Sequence, residues 1–385
     1  METKTIRELC DIVVDCPHST PKWTTSGKIV IRNNNIKKGR IDFSSPSYTD
    51  DEHFNLRVKR AIPRSGDIII TREAPMGEVG MIPERIECCL GQRMVLLRTN
   101  PDICDNYYLL YSLQSKFVQH QISWSEGTGT TVSNLRIPHL EQLKIPYVPL
   151  KKQRLVASVL KSIEEKIILN EQINNNLEQQ AQAIYSNMVP YSVDDALPTE
   201  WYKGTVEDII EIHDSKRIPL SGQARQKMEK KTYPYYGAAS LMDYVDNYIF
   251  DGKYLLLGED GTVVDAAGFP ILQYVWGKFW VNNHAHILTG KRGFNVESLM
   301  LLFRKTPVKS IVTGAVQPKI SQANLKSIPI VIPSKSVLYE LNSVIEPLFA
   351  QIRLNIDENK SLAALRDALL PKLMSGEIDV SDITI

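Results

Sequence analysis

The second half of this chain repeats the first at a constant offset, and that repeat limits the fold more than any single residue does. Adding 185 to the number of Leu140 gives Leu325, and the same step takes Leu143 to Ile328 and Ile145 to Ile330. It also takes Val159 to Val344, Asn170 to Asn355, Asn174 to Asn359 and Leu177 to Leu362. A fixed internal period decides architecture early. Here the unit is about half of the 385 residues, far longer than a solenoid repeat. The pattern predicts two pseudo-symmetric globular modules of mixed α/β (α+β) structure, each followed by one long helix. The expected order is module 1 over 1–149, helix 1 over 150–189, linker and module 2 over 190–333, helix 2 over 334–376, and a tail over 377–385.

The helices carry the clearest periodicity. Apolar residues run Val156, Leu160, Ile163, Ile167, then Leu177, Ala181, Ile184 and Met188. In the second copy they run Leu341, Ile345, Leu348, Ile352, then Leu362, Leu365 or Arg366, Leu369 and Leu373. Steps of three and four make a heptad seam. Each seam is interrupted by two asparagines, Asn170 and Asn174 in one and Asn355 and Asn359 in the other. A buried Asn must find a polar partner, so it fixes register at a cost in stability. A seam needs a second seam to bury it. Under pseudo-two-fold symmetry the two helices pair antiparallel, with Asn170 near Asn359 and Asn174 near Asn355. Proline breaks helix interiors, so Pro347 is expected to start a new helix after a separate short one at 336–346. Pro371 is expected to kink the last turn.

The globular parts read as strands opened by Gly turns. Residues 67–71 follow Ser65-Gly66, and 253–257 follow Asp251-Gly252. Helices are expected over 106–115 and 296–303. The entry Thr5-Ile6-Arg7-Glu8-Leu9 matches Thr205-Val206-Glu207-Asp208-Ile209. The modules share a scaffold and differ in loops, which suits related domains that read different ligands.

Composition excludes several classes. No run reaches 18 apolar residues, so no membrane span is expected, and no secretory signal is visible. Five cysteines, Cys10, Cys16, Cys88, Cys89 and Cys104, lack the spacing of a disulfide framework or zinc site. A cytoplasmic location is therefore expected. Net charge is +1, which does not advertise nucleic-acid binding, although a neutral sum can hide basic faces. No phosphate-binding Gly-x-x-x-x-Gly-Lys-[Ser/Thr] loop occurs. No Asn-Pro-Pro-aromatic stretch of an adenine methyltransferase occurs either. Gly127-Thr128-Gly129 lacks the strand and helix of a dinucleotide fold, so no catalytic residue is assigned. His284 and His286 with Asp260 could share a strand face, yet no further ligand accompanies them and no metal is expected.

Base edges are read by Arg, Lys, Asn and Gln, while phosphates are held by any cation. A chain that reads DNA would have as its DNA-binding candidates in module 1 Arg32, Asn33, Asn34, Lys37 and Arg40, with Lys38 in the same turn, then Arg72, Gln92 and Arg93. The polar loop 125–133 joins them. In module 2 they are Lys216, Arg217, Lys230 and Lys231, with Arg225 and Lys227 in the same basic stretch, then Tyr235, Tyr236, Lys278, Lys291 and Arg292.

With these motifs in place the chain resembles the specificity subunits of type I restriction-modification systems. The carriers are Leu197-Pro198-Thr199-Glu200-Trp201 and the series Tyr233-Pro234-Tyr235-Tyr236-Gly237, Gly258-Glu259-Asp260-Gly261 and Trp280-Val281-Asn282-Asn283-His284. The helix end Leu369-Leu370-Pro371-Lys372-Leu373-Met374-Ser375-Gly376-Glu377 belongs with them. The resemblance covers nearly the whole chain. It implies that each module is a target recognition domain for one half of a bipartite double-stranded DNA site, and that the helices separate the modules and dock partners. It implies two modification subunits, which bind S-adenosylmethionine and methylate adenine N6, and restriction subunits that use ATP and Mg2+. The chain itself would need no cofactor. The competing reading from the residues alone is a non-catalytic protein-binding scaffold with a coiled-coil spacer.

Overall fold

The computed structural model describes residues 2–37, 39–124, 134–314 and 316–380. They form two compact units, one made of Met1–Leu169 with Glu358–Ile385 and the other of Asn170–Asp357. Each unit therefore holds one globular module, part of the helix that follows it and part of the other long helix.

The first unit contains β1 (Thr3–Thr5), β2 (Cys10–Asp15), β3 (Lys28–Ile31), β4 (Ile36–Lys37), β5 (Arg40–Ile41) and β6 (Ser47–Thr49). It continues with β7 (Ile68–Thr71), β8 (Val79–Met81), β9 (Cys88–Leu90), β10 (Met94–Thr99) and β11 (Lys144–Pro146). The central sheet runs β2-β10-β7-β8 and is antiparallel, with Leu96 facing Val14 on one side and Ile69 on the other. Its inner strands are apolar without alternation because both faces are covered. Ile68, Ile70, Val95 and Leu97 point to a core shared with Leu109, Leu110 and Leu113 of the Asn106–Gln114 helix. Ile69, Met94 and Leu96 point to a second core under Ile31, Cys88 and Leu90. The strand period of two is thus hidden in residue type and visible only in which core each residue joins. A second sheet, β6-β3-β9, sets β3 parallel to β9.

The second unit repeats this plan with β12 (Tyr202–Thr205), β13 (Ile210–Ile212), β14 (Tyr233–Tyr236), β15 (Leu241–Val245) and β16 (Phe250–Asp251). Then come β17 (Tyr254–Gly258), β18 (Leu272–Val275), β19 (Lys278–Val281), β20 (Ala285–Gly290) and β21 (Pro329–Ile332). The sheet β13-β20-β17-β18 matches the central sheet of the first unit, and β14 runs parallel to β19 as β3 does to β9. Leu255, Leu257 and Leu288 face one core, and Leu256, Ile287 and Ala285 face the other. Both modules begin with the same local device. Thr5 and Glu8, and likewise Thr205 and Asp208, form capping boxes that start a one-turn helix.

The long helices run Leu150–Met188 and Lys335–Ser375. In the first unit Val156 and Leu160, early in one helix, share a cluster with Leu373 and Met374, late in the other. In the second unit Ala181 and Tyr185, late in the first helix, pack with Leu341, Ile345 and Phe349, early in the second. Both arrangements are antiparallel. The break expected at Pro347 is absent, and one helix runs through it and through Pro371. Proline costs the bond from its own nitrogen to the carbonyl four residues back. Pro347 and Ser343 both sit on the exposed side, so that carbonyl meets water, while Ile345 and Phe349 bury the opposite side.

The cysteines are all buried free thiols. Burial pushes Cys10 and Cys88 up to about 12 and Cys89 up to about 11, which keeps them unreactive at neutral pH. No helix among the described residues is long and apolar enough to cross a membrane.

Candidate nucleic-acid interface

The matching registers assign equivalent positions in the two modules. Val13 faces Leu97 as Ile212 faces Leu288, so Asp15 corresponds to Asp214. Thr71 faces Met94 as Gly258 faces Ala285, so Arg72 corresponds to Glu259 and Val95 to His286. These three positions lie at one end of each central sheet, where the chain leaves the second strand of the module and its loops are longest.

In the first module this end is stitched by arginine and amide groups. The Arg72 guanidinium bonds Asp15 at 2.8 Å, the Leu135 carbonyl at 2.9 Å and Asn134 at 3.2 Å, and its side chain is 11% exposed. Asn33 donates to the Glu73 carbonyl at 2.7 Å. Gln92 donates to the His18 carbonyl. Arg93 pairs with Glu73 at 3.0 Å, yet its side chain stays 55% exposed on a backbone with φ of 65°. Arg32 is exposed and lies over the ring of exposed Trp23 at 5.2 Å, and Asn34 and Lys37 are exposed beside it in the chain. Arg40 is engaged elsewhere: it holds Glu164 of the first long helix at 2.6 Å. Lys38 and the loop 125–133 lie outside the described residues.

In the second module the equivalent end is an ion-pair hub. Arg217 bonds Glu259 at 2.5 Å, the Ala285 carbonyl at 2.9 Å and the Asn283 carbonyl at 3.2 Å, and stands 3.5 Å from Asp214. His286 is fully buried between Asp214 at 2.6 Å and the Ile320 carbonyl at 2.8 Å. Burial alone drives the Asp214 carboxyl up; its hydrogen bond with His286 and the nearby Arg217 outweigh that and hold it below the usual range. Glu259 is held down the same way by Arg217 and Lys319 against the effect of burial. The donor atoms of Asp214, Glu259 and His286 come within 4.8 Å of one another. Arg217 and Lys319 already supply cations to these carboxylates, so the chemistry is that of a salt-bridge hub. His284 pairs with Asp260, apart from that hub.

The remaining candidates of the second module do not form one patch. Lys278 opens β19, and Lys230 and Lys231 precede β14, so these exposed cations flank the shared start of the parallel pair. Lys278 sits 4.6 Å over the Tyr248 ring, which leans on Tyr233 at 5.0 Å. Lys216 is exposed next to the hub. Lys291 and Arg292 follow β20, at the opposite end of the central sheet, where Arg292 meets Tyr202 at 3.3 Å and Asp208 at 3.6 Å. Tyr235 is 1% exposed, packed with Val245 and Trp280, and its hydroxyl accepts from the Leu220 amide. It is a core residue, and no base can reach its ring in this conformation. Tyr236 is half-buried, edge-on to Phe279. Arg225 covers Tyr235 at 4.8 Å and bonds Asp243.

Reasoning by residue type missed several exposed groups. Trp23, and Leu241, Met242 and Tyr244 on the edge strand β15, are large and exposed. A lone Trp or a short mixed strand carries no periodic signal, so nothing in the sequence marks them.

Three comparisons bear on this arrangement. The family model described as type I restriction modification DNA specificity domain matches residues 1–179 and again 198–363. The MjaIX specificity subunit of Methanocaldococcus jannaschii is 24% identical across 96% of this chain and 88% of its own length. A putative type I specificity subunit of Haemophilus influenzae is 32% identical over 38% of this chain and 36% of its own. The crystal structure of a type I restriction-modification S subunit from M. genitalium shares the fold, with a TM-score of 0.58 at 18% identity, covering 97% of this chain and 95% of that one. The family model takes in both modules and most of both long helices, and the chain belongs to the type I restriction-modification DNA specificity family, a family that is itself non-catalytic.

Proposed function

We propose that each module reads one half of a bipartite double-stranded DNA site and that the long helices space the modules and dock partner subunits. The observation that carries this reading is the pair of equivalent sheet ends. Strand order and register match, and one position is aspartate in both modules, Asp15 and Asp214, while the other two differ: Arg72 and Val95 in one, Glu259 and His286 in the other. A shared scaffold with different loop chemistry is what two readers of different half-sites need. Exposed Arg32, Asn34 and Arg93 are the base-edge candidates of the first module. Lys216, Lys230, Lys231 and Lys278 are the phosphate candidates of the second. Arg72 and Arg217 position the loops that carry them.

The partners in this reading are two modification subunits that bind S-adenosylmethionine and methylate adenine N6, and restriction subunits that use ATP and Mg2+. Apolar residues exposed on the helices fit docking: Leu169 and Leu365 in the first unit, and Ile173, Val344 and Leu354 in the second. The helices have 39 and 41 residues, or about 58–62 Å at 1.5 Å per residue. That exceeds the roughly 34–36 Å between half-sites one DNA turn apart, so helix length is sufficient for a spacer. The asparagines 170, 174, 355 and 359 are its register residues in this reading.

The test is methylation mapping of DNA from cells carrying this chain with its modification subunits. Replacing residues 205–333 by the corresponding module of a relative changes one half of the methylated sequence and leaves the other. Simultaneous change of both halves refutes independent reading. The purified chain alone transfers no methyl group.

A further inference from the structure

The helix repeat is broken at one layer, and the break is reciprocal. In the repeat, Glu164 of the first helix corresponds to Phe349 of the second, and Ala181 corresponds to Arg366. In the first unit Glu164 and Arg366 face each other as an ion pair, with side chains 12% and 17% exposed. Arg40 closes on the same carboxylate at 2.6 Å. In the second unit the corresponding layer is apolar: Ala181 is 0% and Phe349 1% exposed, within one buried cluster. The Asn355–Asn174 bond at 2.8 Å fixes their level. Ala181 lies two turns beyond Asn174, and Phe349 lies nearly two turns before Asn355.

We propose that the Glu164–Arg366 layer selects the pairing partner, so that a first helix pairs with a second helix and like helices of two copies are rejected. The argument follows from placing like helices together in the same register. First helix on first helix sets Glu164 opposite Ala181: the carboxylate loses Arg366 and the small methyl leaves the layer underfilled. Second helix on second sets Arg366 opposite Phe349: the layer is overfilled, and the guanidinium has no carboxylate across the seam. Asp367, which it also touches, is 66% exposed on its own helix. Size and charge therefore both disfavour like pairs. Arg40 belongs to the module before the first helix and stays with Glu164 in any pairing, so the rejection falls mainly on the second helix. The asparagine layers do not discriminate. Asn170 and Asn174 correspond to Asn355 and Asn359, so any pairing sets Asn against Asn. They specify register, and the ionic layer specifies partner, as polar seam positions do in coiled coils.

The test uses the full chain, unfolded in urea, refolded at high concentration and sized by light scattering during gel filtration. Wild type is expected to return as a single-copy species. The double variant Glu164→Phe with Arg366→Ala makes every pairing Phe opposite Ala. Its dimer fraction is expected to rise at least tenfold through helix exchange between copies. The single variant Arg366→Ala leaves Glu164 held by Arg40 and removes the charge that blocks second-helix pairing, so an intermediate rise is expected. It decides the matter if the double variant does not refold. Wild-type size distributions in a variant of native helicity overturn the proposal, as does a wild-type chain that refolds to dimers at the variants' level.

Discussion

Substituting Arg217 by Met separates a loop-positioning arginine from a DNA-contacting one. The side chain is 13% exposed, and its guanidinium reaches Glu259, three backbone carbonyls and the Asp214 carboxylate. Methionine keeps most of the stem and removes the charge. Asp214 then retains His286 and Gln322, and Glu259 retains the half-exposed Lys319 and, farther off at 3.7 Å, His286. Breaking one side of a buried pair costs about 3–5 kcal/mol. The remaining partners put the expected loss near the lower end, about 3 kcal/mol. For a unit of this size, each kcal/mol moves the transition by roughly 2–4 °C, so the melting transition of the second unit falls by about 6–12 °C. The assay is scanning calorimetry of the full chain, paired with DNA binding by the complex with modification subunits, measured well below the lowered transition. Binding under those conditions is expected to fall through loosened loops, with no change in its salt dependence. A variant that melts within a degree of wild type yet loses one unit of salt slope refutes the assignment, since that is the signature of a phosphate no longer neutralised.

The exposed cations behave in the opposite way: Lys230→Ala and Lys278→Ala are expected to leave melting unchanged and to lower the log–log salt slope of DNA binding by about 0.9 for each phosphate that is no longer held. Asn355→Ala strips the donor from buried Asn174 and is expected to cost about 1–3 kcal/mol in urea denaturation, whereas Asn174→Leu with Asn355→Leu is neutral or stabilising; additive losses in the double variant contradict a coupled pair. Glu297 is fully buried; burial pushes its carboxyl up, but bonds from Lys253 at 2.8 Å and Tyr274 at 2.7 Å prevail and hold it below the usual range. A carboxylate lowered in the folded state stabilises fully above its unfolded pKa of about 4.3 and loses that contribution as pH falls through its folded value, so Glu297→Gln lowers stability at pH 7 and flattens the acid limb below about pH 4, as acid titration of the melting transition will show.

The parts of the fold legible in the sequence are those set by local periodicity. The seam of Val156, Leu160, Ile163 and Ile167 needs only helical spacing to be seen, and the Thr5 and Thr205 entries need only a capping motif. Pro347 misled because local propensity is outweighed when Ile345 and Phe349 on one side and water on the other leave nothing buried without a bond. The interface was harder because burial of a cation depends on partners far away in the chain. Arg72 and Arg93 look alike in sequence; Asp15, brought alongside by the β2-β10-β7 order, takes one, and the other keeps its exposure. Tyr235 reads as a stacking aromatic until the parallel strand β19 lays Trp280 against it. The edge-strand residues Leu241, Met242 and Tyr244 are exposed through sheet order, which no window of sequence contains.

The division of the chain into Met1–Leu169 with Glu358–Ile385, and Asn170–Asp357 between them, sets an order of birth. Domains commonly complete from the N-terminus as they leave the ribosome. Here the module made first is finished last: Tyr108 and Tyr111 wait for Leu373, Met374 and Val380 to cover them. The module made second has all its residues once Asp357 has emerged. A chain cut just after Asp357 therefore has an unfinished beginning and a sound middle. Completion of the first module depends on residues made after the second module is whole.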